Sequence, residues 1–384
     1  MEPMFDALSL VWTYIIPFLA VLTVLVFVHE LGHYLAARRC GIRVEVFSVG
    51  FGRELFGWTD RSGTRWKLSL IPVGGYVKMF GEMQARNDGE GAVHPELSPE
   101  DAAVSFETKS LGQRAFVVFA GPLANFVFAI VVLAAMFSTI GQPFTPADIG
   151  QVLPDSAAER AGFQVGDVIT EIDGRKVERF EQVIRNVQLH PGTLLHFTVE
   201  RDGRIVVLDV VPDVLDQTDR FGNPQRIGRL GVSRPGTDMK LVRHDPFTAV
   251  WRATQETYVL TESIFSAIWQ IIKGTRTTKE LGGPIRIAQM SGDVAQMGLI
   301  SLLMFATVLS INLGLINLFP VPMLDGGHLL FYGIEALRGR PLGARAQEFG
   351  LRVGVGMVFA LMVFATWNDL VQLRVVDFFV GLVT

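Results

Sequence analysis

Three stretches of this 384-residue chain, Val11–Val28, Ala115–Ile140 and Gly298–Leu324, contain no charged side chain. Each reaches the run of about 20 apolar residues needed to cross a bilayer. A fourth, Val353–Asn368, is shorter and also uncharged. In lipid a backbone must satisfy its own hydrogen bonds, so such stretches are required to be helices packed side by side. Composition agrees. The chain is 49% hydrophobic and 19% charged, where soluble domains carry about a quarter charged residues. A net charge of −4 gives no footprint for nucleic acid, and the single Cys40 rules out an internal disulfide or a Cys-rich zinc site. The opening "MEPMFDALS" has no Lys or Arg and does not read as a cleavable signal peptide.

Basic residues orient the spans. Arg38, Arg39, Arg43, Arg53 and Lys67 are among those between spans one and two, and Arg338, Arg340, Arg345 and Arg352 lie between three and four. Short loops rich in Lys and Arg stay in the cytoplasm. The ends of spans one and three are therefore expected at the cytoplasmic face of the membrane, and the long insert after span two outside it.

The end of span one reads "VFVHELGHYLAARRC". His29 and His33 fall one helical turn apart on one face, an arrangement in which two imidazoles can bind one metal ion with Glu30 beside its water. Ionisable groups at the edge of hydrocarbon are costly without such a purpose. The competing reading is a pair of buried histidines satisfied by hydrogen bonds. A catalytic zinc needs a third protein ligand. His94, Asp325, His328 and Glu348 are the candidates, since the topology puts His190, His196 and His244 on the other side. Asp325 is favoured over His328 by its position: it closes span three at "INLFPVPMLDGGH", at the leaflet that also receives His29 and His33. Pro320 and Pro322 break the helix before it, and Gly326–Gly327 allow the backbone to turn.

Four regions follow: an N-terminal membrane part (1–145), an external domain (146–235), an interfacial helical segment (236–297) and a C-terminal membrane part (298–384). In the first, "WKLSLIPVGGYVKMF" reads as a membrane-associated hairpin turned at Gly74–Gly75, and "EMQARNDGEGAVHPELSPEDAA" as a solvated loop. In "GPLAN", Gly121 and Ala124 suit close helix packing, and Asn125 is a polar group that needs a partner in lipid. The external region alternates strands with helices expected at 156–162 and 180–190, with turns at Asp173–Gly174 and Asp202–Gly203. Its pattern is similar to a permuted PDZ domain. That similarity implies a groove beside Ile149–Val152 able to take a peptide or substrate ectodomain by strand addition. A rigid spacer is the alternative. Between Pro246 and Gly274, apolar and aromatic residues at helical spacing suit a helix lying in the membrane interface or folded back against the spans.

Taken together, "HELGH", "GFG" at 50–52, "GPLAN" at 121–125, "LGGPIRIA" at 281–288 and "NLFPVPMLDGG" at 317–327 resemble the site-2 protease family of intramembrane zinc metalloproteases, in its bacterial RseP-like form. The resemblance implies a multi-pass α-helical membrane protein with four transmembrane helices, an inserted α+β PDZ domain and a membrane-associated β-hairpin. It assigns His29, His33 and Asp325 to Zn2+ and Glu30 to general acid–base work. It gives Asn317, Pro320, Pro322 and the Gly74–Gly75 hairpin to substrate binding. The implied activity is regulated intramembrane proteolysis of single-span membrane proteins, an anti-sigma factor or remnant signal peptides. The length leaves room for one PDZ domain where the better-known form has two. The rival functions are a non-catalytic PDZ membrane adaptor and a zinc protease acting on peptides outside the bilayer.

Overall fold

The computed structural model describes residues 11–81, 98–218, 224–233, 240–273 and 282–372. The opening "MEPMFDALS", His94 and most of the polar loop lie outside them. Along the chain run α1 (Ile16–Arg39), β1 (Val44–Thr59), β2 (Arg65–Met79), α2 (Pro99–Val104) and α3 (Leu111–Thr139). Then come β3 (Gln142–Phe144), β4 (Gln151–Val152), α4 (Ala157–Ala161), β5 (Val168–Ile172), β6 (Arg175–Lys176) and α5 (Phe180–Leu189). Strands β7 (Leu195–Arg201), β8 (Arg204–Val210), β9 (Asp213–Thr218), β10 (Pro224–Arg229), β11 (Val232–Ser233) and β12 (Lys240–Val242) follow. The helices α6 (Pro246–Ile272), α7 (Pro284–Gln296), α8 (Leu299–Leu318), α9 (Asp325–Arg338) and α10 (Ala344–Gln372) complete the described chain.

Among the described residues, four helical segments, Val11–Arg39, Leu111–Thr139, Leu299–Leu318 and Arg345–Val371, are long and apolar enough to cross a membrane. Span one continues through both histidines as one helix. Span three is shorter than its uncharged run: α8 stops at Leu318, and Phe319 turns extended at φ −63°, ψ 142°. Pro320 and Pro322 cannot continue the helix, so the apolar sequence outlasts it. Outward side chains of α10 such as Phe359, Leu361 and Phe364 stay exposed, as a lipid-facing surface requires.

The chain divides into two compact units. The first contains α1, β1, β2, most of α3 and residues 282–369. Its core joins Ala36, Ala37, Ile42, Val44, Phe47, Val77 and Met79 to Phe106, Val117 and Ala120. The hairpin expected to turn at Gly74–Gly75 does not form, because β2 runs on through both glycines. Residues Val46–Val49 meet Lys78–Gly75 on one side and Arg65–Leu68 on the other, so the two segments flank a third strand rather than each other. The real turn is Asp60–Thr64. Burial alone would raise the Asp60 carboxyl, but bonds from Ser62, Trp66 and the Thr64 backbone outweigh it and hold the group below the usual carboxylate range. Part of the expected loop is also ordered: Ser98 accepts from the Asp101 backbone and caps α2.

The second unit has its own core, in which Ile149, Phe163, Ile169, Phe197, Val199 and Leu230 are buried. Its largest sheet has the order β6-β5-β7-β8. Ser156 caps α4, which ends on Gly162 in the left-handed region. Asp173–Gly174 and Asp202–Gly203 all have positive φ, the conformation of tight hairpin turns. The peptide-accepting edge at Ile149–Val152 needs correction. Gln151 and Val152 pair with Ser233 and Val232, while Ile149 exchanges bonds with Asp167 and Gly166. Ile149 is thus paired on one edge of the strand and Gln151–Val152 on the other, each by the chain itself.

Candidate metal centre

Helix α1 is apolar over most of its length, and its last turns carry His29, Glu30 and His33 to the unit's core. Small residues let α3 come close. A Cβ on Gly32 would stand 2.2 Å from the Ala120 carbonyl oxygen, and one on Gly121 would stand 2.2 Å from His33 Nε2. The His33 ring thus lies directly on α3. Its Nδ1 donates to the Val117 carbonyl at 2.9 Å. A carbonyl only accepts, so the hydrogen belongs on Nδ1 and the Nε2 lone pair is left facing the site. That Nε2 is 3.2 Å from His29 Nε2, and both histidines are buried.

Asp325 arrives from the other end of the sequence, at the first residue of α9 just after the break in span three. Its Oδ2 lies 3.2 Å from His29 Nε2 and 3.5 Å from His33 Nε2. Atoms about 2.1 Å from one tetrahedrally coordinated zinc stand about 3.4 Å apart. The three separations therefore have the size that a shared ion requires, and two imidazoles with one carboxylate is a donor set of catalytic zinc. These three form a group able to hold a metal ion, with donor atoms all within 4.8 Å of one another. The residues fit the ion.

Glu30 packs against β2. Its carboxylate accepts from the Val77 backbone N–H. The strand bearing Val77 lies tightly on α1, since a Cβ on Gly75 would meet Val26 Cγ1 at 2.8 Å and Glu30 Cγ at 3.2 Å. Gly74, with φ +110°, packs instead against the Phe51 ring. Asn317 sits half-buried in the last turn of α8, Pro320 is exposed and Pro322 half-buried in the break that follows.

Among the described residues, the rival ligands do not join this group. Glu348 is exposed and paired with Arg352 at 2.6 Å. His190, His196 and His244 bond to the Asn186 carbonyl, Asp209 and Gln142 respectively. Three further contacts escaped the sequence reading. Arg114 at the start of α3 binds Glu335 of α9 at 2.8 Å, tying the helix that carries Asp325 to the one beneath His33. Asp369, 1% exposed in α10, accepts from the backbone of Gly283, Ile285 and Arg286 and so caps α7. A carboxylate at the end of an apolar span was the available signal for it. Asn125 reaches His29, the partner that a polar group in a span demanded.

The model of peptidase family M50 matches residues 17–361, nearly the whole chain. The chain belongs to peptidase family M50. A protein of Agrobacterium fabrum named as a zinc metalloprotease is 47% identical over 364 residues, covering 94% of this chain and 96% of its own. The metalloprotease MmpA of Caulobacter vibrioides is 36% identical over 394 residues, covering 96% and 98%. Protease RseP of Yersinia pestis is 33% identical over 465 residues, covering 95% and 100%. This M50 chain is thus a zinc-dependent membrane metalloprotease of the site-2 type, and the stretch matched to the family contains all of His29, Glu30, His33 and Asp325.

Proposed function

We propose that His29, His33 and Asp325 hold one zinc ion, and that Glu30 is the general acid and base of an intramembrane endopeptidase acting on single-span membrane proteins. The observation that carries this reading is the convergence of three buried donor atoms, from helices almost 300 residues apart in sequence, next to a carboxylate that is no part of the donor set. Bound zinc supplies Lewis acidity toward water and the scissile carbonyl. Glu30 takes the proton from the attacking water and returns it to the leaving amine. Its bond from Val77 N–H ties the carboxylate to β2, one residue along α1 from the ligand His29.

A transmembrane helix resists cleavage because each of its carbonyls is already hydrogen-bonded. An unwound substrate needs replacement partners. The strand at Gly75–Met79, held against Glu30, can supply backbone groups, and Asn317, Pro320 and Pro322 line the approach along the broken helix. Convergence of the ends of spans one and three fits both lying at one face, which the basic loops make the cytoplasmic one; the resemblance brings the bacterial inner membrane as the location.

The second unit supports a PDZ-like domain within 146–235, between the membrane parts 1–145 and 298–384 and before the interfacial segment 236–297. Since Gln151–Val152 is already paired with Val232–Ser233 and Ile149 with Gly166–Asp167, a peptide would pair along Val232–Ser233 instead. About 100 positions of the RseP alignment face no residue of this chain, which suits one such domain in place of two. The resemblance to RseP brings regulated intramembrane proteolysis of an anti-sigma factor, or of remnant signal peptides, as the biological task.

Purified full-length protein tests the core of this. Glu30→Gln should keep one zinc per chain and cut a single-span substrate at least about 100-fold more slowly. Equal cleavage by both proteins removes Glu30 from the chemistry. A soluble unfolded substrate cut as fast as the membrane one removes the intramembrane specificity.

A further inference from the structure

Asn125 is wholly buried in α3, one turn beyond Gly121. Its Nδ2 lies 3.1 Å from His29 Nδ1, while its Oδ1 is buried without a hydrogen-bond partner. An amide can turn over, exchanging a donor for an acceptor in nearly the same volume, and imidazole has the matching choice of tautomer. With the amide nitrogen toward it, His29 Nδ1 must be the lone pair. The hydrogen then sits on Nε2, the atom 3.2 Å from Asp325 Oδ2. With the amide oxygen toward it, Nδ1 keeps the hydrogen and Nε2 turns a lone pair to the site. His33 has no such choice, because its partner is the Val117 carbonyl.

We infer that Asn125 is a positioning residue that selects the metal-binding tautomer of His29, presenting its side-chain oxygen to Nδ1–H when zinc is held. The inference rests on His29 being a ligand. The residue is well placed for the task. Ser310 of α8 donates to the Asn125 carbonyl at 2.9 Å, and Gly314 lets α8 lie close on α3 there, since a Cβ would stand 3.0 Å from the Phe126 ring, 3.1 Å from the Pro122 carbonyl and 3.3 Å from Asn125 Cβ. The helix that ends just before Asp325 therefore braces the residue that orients His29. Outer partners of metal-bound histidines commonly govern affinity in this way.

The test is zinc affinity of the detergent-purified full chain, read by competition with a fluorescent zinc chelator. Asn125→Leu should bind zinc about 10- to 100-fold more weakly. Asn125→Asp, an acceptor at both oxygens, should retain wild-type affinity. In a His29→Ala background, Asn125→Leu should add no further loss. Where Leu does not fold, Asn125→Ala removes the amide without added bulk. Wild-type affinity in Asn125→Leu, beside lost affinity in His29→Ala, overturns the inference and leaves the metal site standing. So does a loss in Asn125→Asp equal to that in Leu, or a further loss in the His29→Ala background. Wild-type affinity in His29→Ala itself would instead overturn the metal site.

Discussion

Gly121→Ala is the smallest change that should disable the site while sparing most of the fold. The new Cβ would stand 2.2 Å from His33 Nε2, where ordinary contact begins near 3.4 Å, so the ring must retreat by about 1.2 Å. Zinc–imidazole bonds are held to about ±0.2 Å, so this retreat is enough to break one. Two routes of relief are poor. Swinging the ring breaks its buried bond to the Val117 carbonyl, which costs about 1 kcal/mol. Drawing α3 away from α1 sacrifices the close contact between Gly32 and Ala120. Affinity should fall by at least about 100-fold. At zinc near 100 times the wild-type Kd, bound metal stabilises the wild type by about 2.7 kcal/mol and the variant by about 0.4 kcal/mol. Thermal unfolding with and without excess chelator reads that difference directly. In chelator the two proteins should melt close together, whereas Gly32→Ala, whose Cβ meets backbone rather than a side chain, should melt lower with or without metal. A Gly121→Ala protein with wild-type zinc affinity would refute the claim that His33 is held at the site by this contact.

Arg114 and Glu335 are both mostly buried, with side-chain exposures of 19% and 15%, so removing one strands the other. Glu335→Ala should cost about 1–3 kcal/mol of stability in chelator, and Arg114→Ala should add little to it; additive losses in the double variant would deny the pair. The second unit should be acid-sensitive at Asp167. Burial favours its neutral form, but bonds from Arg201 and the Gln164 backbone outweigh this and lower its pKa. Its folded value lies below the unfolded one of about 3.9, so its contribution is complete above that pH and is lost as pH falls through the depressed value. Hydrogen exchange at Ile149 and Gly166 should accelerate in that window for the wild type and show a weaker dependence in Asp167→Asn. The same pH dependence in both would deny the role of Asp167.

The spans were legible because a charge-free run of such length has one solution in lipid, and the histidine spacing because the helical period fixes which residues share a face. The turns at 173–174 and 202–203 were legible from Asp–Gly pairs that accept positive φ. Pairing between strands was not. Gly74–Gly75 looked like a turn because two glycines relieve backbone strain, whereas Gly75 is there because the Ser48 carbonyl, Val26 and Glu30 leave no space for a side chain. Nothing local in the sequence reports that contact. The edge at Ile149–Val152 failed for the same reason: its partners, Val232–Ser233, lie some 80 residues on. Asp325 was favoured by depth within the membrane, a coarse coordinate that ranked it above His328. The ion-pair distances that gather it with the histidines depend on Arg114, Gly121 and the break in span three, which only the folded chain brings together.

That break is the costliest element of the site, and its sequence meets the cost residue by residue. Between α8 and α9 the backbone cannot bond as a helix, although any open donor at this depth is expensive. Pro320 and Pro322 remove two donors outright. Phe319, Val321 and Leu324 donate to Ile316, Phe319 and Val321 at 3.1, 2.7 and 2.9 Å. Gly326 and Gly327 are required because a Cβ on either would stand 2.3 Å from a backbone oxygen of the turn. The strain left over is concentrated at Met323, whose φ of 120° a side chain seldom tolerates. What this secures is the start of a new helix at Asp325. Its carboxylate occupies the first turn, where the helix dipole favours negative charge, and the same turn brings it to ion-pair distance of both imidazoles. An unbroken helix would have carried residue 325 onward along the axis of span three, two turns beyond Leu318. The fold accepts strain at Met323 because bending the chain there is what brings the carboxylate to the histidines.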